Sequence, residues 1–531
     1  MKRIAPFVVL AATMLLGGWF FQEGVRRDRG VFTQSRLFQE VVDHVSDQFV
    51  EPVERERIYR AAIEGLLDEL DDPHSSFIDA REYEDLRIRT QGDYGGVGLE
   101  VIERDGWVTV VGIIPGTPGA RSGIRAGDQF FEVAGRSTEG LDVDAVVDLL
   151  RGPPGEAVEV LMRRSGVDEP ISFSLQREVI QIKSVPFALQ LADGVGYVPL
   201  QVFRSTSTDE VRAAVDSLRA EGVERLILDL RGNPGGLLEE GIGVTELFLD
   251  AGETVVETRG RGAGQTERYQ TSSQAAYPRM PLVVLVDHTS ASASEIVAGA
   301  LQDHDRALVL GSSTYGKGSV QTLFRLSEGN VLRLTTALWY TPAGRSIDRE
   351  VGDGVARMEG GLGLDGSFVA SPDTAGRPEF RSMGGRLLRG GGGIVPDEWV
   401  SPDTLSSGES EAVQALYRQA GLFSRAIFDH AVDYVSTHDG LSPDFELSAA
   451  EVEGFRRRLE QVGVELEAGV FDEARGYIVA QLSAEIALQA FGEVGVFQRD
   501  YGRDAALNRA LDRLQQATTT RDLLALLRLA A

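Results

Sequence analysis

Two short segments carry residues that could do covalent chemistry together: Ser290-Ala-Ser-Ala-Ser-Glu295 and Thr314-Tyr-Gly-Lys-Gly-Ser-Val-Gln321. They supply Ser292, then Lys317 between Gly316 and Gly318, then Gln321. A serine hydroxyl is a weak nucleophile at its ordinary pKa, and a lysine can take its proton only where burial or a neighbouring cation keeps the amine neutral. Such a hydrolase needs no histidine, but it must bury a lysine beside a serine. The two flanking glycines let backbone pack closely around the Lys317 stem. Ser292 also satisfies S-x-x-E with Glu295, so a plain helix N-cap explains that segment equally well, and a solvated turn explains Lys317 taken alone. The two segments together shift the balance toward chemistry.

A third segment, Asp229-Leu-Arg-Gly-Asn-Pro-Gly-Gly236, ends a strand-like run before a helical pattern. Its turn can present backbone N–H groups to the oxyanion of an acyl-transfer transition state, and it can equally be a tight turn that needs glycine geometry. Competing chemistries fit less well. Gly311-Ser-Ser-Thr-Tyr-Gly-Lys-Gly318 nearly matches the phosphate-binding G-x-x-x-x-G-K-[ST] loop, but Gly318 has no hydroxyl for magnesium and the following residues read as strand. His288 and His304 each adjoin an aspartate, Asp287 and Asp303, and neighbours in a regular element point apart. The loop residue His74 reads as structural. None of the six histidines makes a metal-ligand spacing, so neither a metal nor a cofactor is expected.

The elements that must position these residues follow from texture. Leu37, Val41, Val45 and Phe49 recur every four residues, as do Ile58, Ala62, Leu66 and Leu70, giving a helical region from about Phe32 to Arg89. From Gly95-Gly-Val-Gly-Leu-Glu-Val101 the pattern becomes alternating strands, with Pro-Gly and Gly-Asp turns and one helix near Asp142 to Leu150. That ordered set resembles a PDZ domain over about 92–165. If so, backbone N–H groups at Gly96, Val97, Gly98 and Leu99 capture a peptide carboxylate while the peptide adds a strand. From about Ile171 to Val400 strands and helices alternate, and Arg225–Leu230 and Leu282–Val286 read as strands buried on both faces. Residues from about 352 to 393 are glycine-rich and read as a partly mobile loop insertion. Beyond Pro402 the pattern is helical, with Phe423, Ile427, Ala431 and Tyr434 on one face and a capping box at Ser448-Ala-Ala-Glu451.

A chain of 531 residues, 42% hydrophobic and 25% charged, is globular and multidomain. Its net charge of -28 disfavours nucleic acid as a partner. Having no cysteine, it has no disulfide, thiol catalysis or Cys-type zinc site. Met1-Lys2-Arg3 and the apolar run Ile4 to Phe21 read as an export signal or membrane anchor. The uncleaved anchor is favoured because bulky Trp19-Phe20-Phe21 stands where a cleavage site needs small residues. Lys2 and Arg3 on the cytoplasmic side place the remainder extracytoplasmically, with Arg26, Arg27 and Arg29 competing.

Taken in order, Leu70-Asp-Asp-Pro-His-Ser75, the PDZ-like segment, the Asp229, Ser290 and Thr314 segments, Gln302-Asp303, Tyr340-Thr-Pro-Ala-Gly-Arg-Ser-Ile347 and Gly393-Ile-Val-Pro-Asp397 resemble the carboxyl-terminal processing peptidases, also called tail-specific proteases. The resemblance runs from about 35 to 400. It implies Ser292 as nucleophile, Lys317 as general base and Gln321 as the residue orienting it. It further implies an oxyanion hole from backbone N–H groups of Ala293 and of Gly235 or Gly236, and a structural role for Asp303. Texture and resemblance together give a multidomain α/β fold: a signal or anchor over 1–30 and an all-helical C-terminal domain over 405–531 from the sequence pattern, and between them an N-terminal helical region over 31–91, the PDZ domain and a peptidase core with a mixed sheet over 166–404. The partners expected are protein or peptide substrates with free C-termini and, through the N-terminal segment, the membrane; a periplasmic face agrees with both. The helical tail lies outside the resemblance and leaves room for packing, tethering, a homo-oligomer or a regulatory partner. The alternative is a catalytically silent PDZ scaffold, which would need none of Ser292, Lys317 and Gln321.

Overall fold

A computed structural model describes residues 32–262, 264–349, 360–364, 366, 368–370, 376–401, 403–438 and 440–527. The expected anchor over 1–30 lies outside the described residues. Among those described, no helix is long and apolar enough to cross a membrane. The chain forms two compact units, one of Met1–Tyr83 with Gln321–Thr335 and one of Glu84–Val320 with Thr336–Ala531.

In the first unit, helices over 32–48 and Arg55–Asp68 follow the four-residue spacing. Their apolar stripes are not covered: Leu37, Val41, Phe49, Leu66 and Leu70 are all at least half exposed, and Val42 and Leu67 are the buried apolar residues of the pair. The strand Ser76–Ile78 pairs antiparallel with Val331, Leu332 and Arg333.

The second unit begins with the PDZ-type sheet, in the order β1 (Leu99–Arg104), β2 (Trp107–Ile113), β3 (Gln129–Val133), β4 (Ala157–Arg163) and β5 (Ile171–Gln176). Helix α1 (Val143–Leu150) starts at Asp142, whose side chain accepts the Ala145 N–H at 2.8 Å, one of the donors a helix leaves unpaired. Its Val146 and Leu150 join Val97, Val108, Val110, Phe130, Val133 and Met162 in one core. Among the described residues strand β1 is an edge, paired with β2 alone.

The second sheet carries the segments singled out as candidates for chemistry. Its order is β6 (Leu189–Ala192), β7 (Val195–Pro199), β8 (Arg225–Asp229), β9 (Leu282–Val286), β10 (Leu308–Gly311) and β11 (Glu398–Trp399), antiparallel between β6 and β7 and parallel thereafter. Alternate side chains enter different cores, as the two-residue period demands. Leu226, Leu228, Val284 and Val286 pack with helices α2 (Ser207–Ala220), α3 (Leu238–Glu246) and α4 (Ala293–Asp303). Ile227, Val283, Leu285, Leu308 and Leu310 face the other way.

The helical tail has two tasks. Helices α5 (Ser407–Tyr417), α6 (Ala420–Thr437), α7 (Ala449–Gln461) and α8 (Arg475–Asp500) form a separate core, where Phe423, Ile427, Ala431 and Tyr434 are buried on one face of α6. Helix α9 (Ala505–Gln515) instead lays Leu507, Ala510 and Leu514 on the second face of the sheet. A parallel sheet must be covered on both faces, so these residues complete the layer that carries the candidate site rather than extend the helical bundle.

The glycine-rich insertion holds strands among its described residues. It carries two hairpins, Gly360–Leu362 with Phe368–Ala370 and Glu379–Arg381 with Leu387–Arg389. The second is tied down where Arg386 meets Asp305 and Asp397 and donates to the Gln302 carbonyl at 2.9 Å. Those ties join positions far apart in sequence, which local composition cannot register.

Candidate active site

Ser292 stands between β9 and α4, at the residue just before the helix. Its φ of 55° and ψ of -113° lie where a residue with a side chain is rarely found. Such strain persists only when the surroundings enforce it. Here they do: Ala291 N–H and Ser294 Oγ both donate to the Asn233 carbonyl at 3.0 Å, and Ser290 Oγ donates to the Leu230 carbonyl at 2.8 Å. The serine turn is thus strapped to the turn that follows β8.

That second turn is shaped by Asn233, which is fully buried. Its Nδ2 donates to the Leu200 carbonyl at 2.7 Å, and its Oδ1 accepts the Gly235 N–H at 2.8 Å. Gly235 has φ of 96°, and a Cβ there would come within 2.7 Å of the Ala291 carbonyl and the Ser292 Cβ. Gly236 has φ of 146° and a Cβ would meet the Phe203 carbonyl at 2.1 Å. Glycine is therefore required at both positions. Since Gly235 N–H is taken, Gly236 is the member of the pair whose N–H has no partner among the described residues; the Ala293 N–H at the start of α4 also has none.

The residue that joins the parts is Glu295, and it is fully buried. Its Oε2 accepts the backbone N–H groups of Ser292 at 2.8 Å and Lys317 at 3.0 Å, while its Oε1 accepts Gly316 N–H at 2.7 Å and Thr314 Oγ1 at 2.6 Å. One carboxylate oxygen thus holds the main chains of the candidate nucleophile and candidate base. Burial pushes the Glu295 carboxyl up to about 7, against the pull of its four donors. In the sequence Glu295 reads only as the far end of a capping box; its reach to Gly316 and Lys317 crosses from helix to loop.

Lys317 is half-buried, and its carbonyl accepts the Trp339 indole N–H at 3.0 Å. A Cβ on Gly316 would meet Gly393 N at 3.0 Å and one on Gly318 would meet Asp348 Cβ at 2.7 Å, so both flanking glycines serve close packing. The strand Ser319–Arg325 follows where a phosphate-binding loop needs a helix. Gln321 belongs to the first unit, where its Nε2 donates to Thr335 Oγ1 at 3.4 Å.

The other singled-out residues sort by their contacts. Asp303 pairs with Arg345 at 2.6 Å, both fully buried, and accepts the Ala343 N–H at 2.7 Å, which is a structural tie. His304 Nε2 bonds the Thr254 carbonyl at 2.7 Å, and His288 packs edge-on against Phe368. No group of three or more potential metal ligands occurs among the described residues. In the PDZ-type sheet, Gly98 has φ of 74°, and its carbonyl accepts the Ile114 N–H at 3.0 Å. The N–H groups of Val97 and Gly98 have no partner among the described residues, at the head of the open edge β1.

Comparison with known proteins identifies relatives of the chain. The peptidase family S41 model matches residues 194–356, a PDZ model matches 109–164, and a model of the N-terminal domain of the activating protease CtpB matches 24–82. A carboxy-terminal-processing protease of Bartonella bacilliformis is 39% identical over 60% of this chain and 74% of its own length. The carboxy-terminal processing protease CtpA of Bacillus subtilis is 32% identical over 58% of this chain and 65% of its own. The solved photosystem II D1 C-terminal processing protease is 33% identical, over 59% of this chain and 83% of that one, with a TM-score of 0.35. Fold and site together define a serine peptidase carrying a PDZ domain. The chain belongs to the carboxy-terminal processing proteases of peptidase family S41.

Proposed function

We propose that the chain is an endopeptidase that engages polypeptides by their C-terminal tails and cleaves them through a Ser292 acyl-enzyme with Lys317 as base. The observation that carries this reading is the single Glu295 oxygen holding both Ser292 and Lys317 by their backbone N–H groups. Ser292 Oγ attacks the scissile carbonyl carbon and yields its proton to Lys317 Nζ, which passes it to the leaving amine; water then releases the acyl group by the reverse route. The N–H groups of Ala293 and Gly236 receive the oxyanion, reinforced by the start of α4. Gln321 orients the lysine.

Recognition falls to the PDZ domain. The tail carboxylate meets the N–H groups of the Gly96–Leu99 loop while the tail extends along β1, whose outer edge is unpaired. The N-terminal apolar run, with its basic start, supports membrane attachment and an extracytoplasmic site.

The test is degradation of an unfolded protein with an apolar C-terminal tail, with fragments read by mass spectrometry. The full chain is expected to cut internally, and Ser292→Ala and Lys317→Ala to abolish cutting while still binding the tail. Cutting that survives Ser292→Ala would displace the serine, and unchanged turnover in Lys317→Ala would displace the lysine. An intact fold that binds tails and never cuts would leave only the scaffold.

A further inference from the structure

A cavity of about 700 Å³ opens where the carboxyl ends of β7 and β8 meet helices of the C-terminal bundle. That volume suits a ligand of drug size, within ~300–1,000 Å³. Two aromatic groups line it. Tyr197 stacks on Phe497 with centroids 4.4 Å apart, and Phe423 stacks on Tyr477 at 6.2 Å. Much of this wall comes from residues beyond the stretch matched by the peptidase model, so the cavity is a feature of this chain's own tail.

The charges on its wall are unbalanced. Among the described residues Arg231 is its one lysine or arginine, and that charge is spent on Asp229 at 2.6 Å and Asp504 at 2.7 Å. Asp229 also accepts the Tyr197 hydroxyl at 2.9 Å. Glu485 and Glu493, by contrast, pair with amides and with no cation among the described residues: Gln489 Nε2 donates to the first at 2.8 Å and Gln201 Nε2 to the second at 2.9 Å. An anion would find no cation to spare here. A cation on an apolar body would find aromatic faces and two carboxylates without a cationic partner.

The cavity also touches the candidate catalytic turn. Leu200, in its lining, accepts from Asn233 Nδ2 at 2.7 Å, and Asn233 fixes the Gly235 turn. We propose that this cavity binds a lysine or arginine side chain flanked by apolar residues, carried by a polypeptide segment of the substrate. It is a second grip on the substrate, separate from the PDZ carboxylate loop and placed beside the turn that bears Gly236. As a substrate subsite it rests on the peptidase reading above; as a binding site it does not.

The experiment measures binding to the full-length chain carrying Ser292→Ala, so turnover plays no part. The probes are acetylated, amidated tripeptides Phe-X-Phe with X lysine, norleucine or glutamate; amidation removes the carboxylate that the PDZ loop would hold. The lysine peptide is expected to bind about tenfold more tightly than the norleucine peptide, an ion pair in a half-buried setting, and the glutamate peptide more weakly than either. Glu485→Gln with Glu493→Gln, the first partly buried and the second exposed, should keep the wild-type melting temperature and bring lysine and norleucine within about twofold. Ala484→Phe, which fills the cavity, should abolish binding of all three. Equal affinity for lysine and norleucine, a lysine preference that survives the double glutamine variant, or binding retained by a folded Ala484→Phe would each overturn the proposal. Failure of the Ser292 assignment would alter none of these readings.

Discussion

Glu295→Gln separates the positioning role of the carboxylate from its contribution to stability. Raising the carboxyl from its ordinary 4.5 to about 7 corresponds to about 3 kcal/mol of disfavoured ionisation. Stability linked to this group is therefore fully present below pH 4.5 and is lost as pH rises through about 7. A glutamine escapes that loss, but its NH2 must face a donor. In the better orientation its carbonyl keeps the Ser292 and Lys317 N–H groups, Thr314 Oγ1 turns to accept, and the NH2 confronts the Gly316 N–H now held at 2.7 Å. Orphaning that buried donor costs about 1–3 kcal/mol. The two effects nearly offset above pH 7, so the melting temperature should move by only a few degrees. Activity should not be spared: Gly316 must move off, and Lys317 moves with it. A displacement of about 1 Å costs about a hundredfold. The assay is kcat/KM across pH 5.5 to 8.5 on an ester or peptide too short for the PDZ domain, with melting curves on the same samples. In the wild type, protonation of Glu295 loosens the same contacts, so activity should fall as pH drops below about 7 while the stability linked to Glu295 rises. The variant should lose that acidic limb. Activity within about threefold of wild type at pH 8, or an acidic limb that persists in the variant, would refute the role given to Glu295.

Three further outcomes follow from packing. Gly235→Ala should abolish turnover and lower the melting temperature, because φ of 96° and a Cβ 2.7 Å from Ser292 Cβ cannot both be accommodated without moving the serine turn; near-normal kcat would show that turn to be slack. Arg345→Met leaves the fully buried Asp303 without its cation and should cost about 3–5 kcal/mol by denaturant unfolding. A loss under about 1 kcal/mol would mean that water reaches Asp303. Deleting residues 505–527 uncovers Ile227, Val283 and Leu285 and should give aggregated protein. A soluble, active product would show that the second sheet face is covered by other means.

The chemical segments were legible because the peptide bond fixes their local geometry: a buried strand Leu282–Val286, a turn, and a helix opening at Ala293 put Ser292 at a helix mouth whatever lies elsewhere. The same holds for α1 with its Asp142 cap, and for the apolar face of α6 through Phe423, Ile427, Ala431 and Tyr434. Spacing also showed that Gly316 and Gly318 serve close approach, though not what approaches; Gly393 and Asp348 are supplied by distant chain. Tertiary structure alone decided that Glu295 spans from Ser292 to Lys317, that Asn233 claims the Gly235 N–H and leaves Gly236 open, and that helix α9 covers the second face of the sheet carrying the candidate site. Each depends on a hydrogen bond or an apolar contact between segments whose separation along the chain carries no periodic signal. Helical repeats and turns come from nearest neighbours, whereas a shared carboxylate comes from where the folded backbone happens to converge.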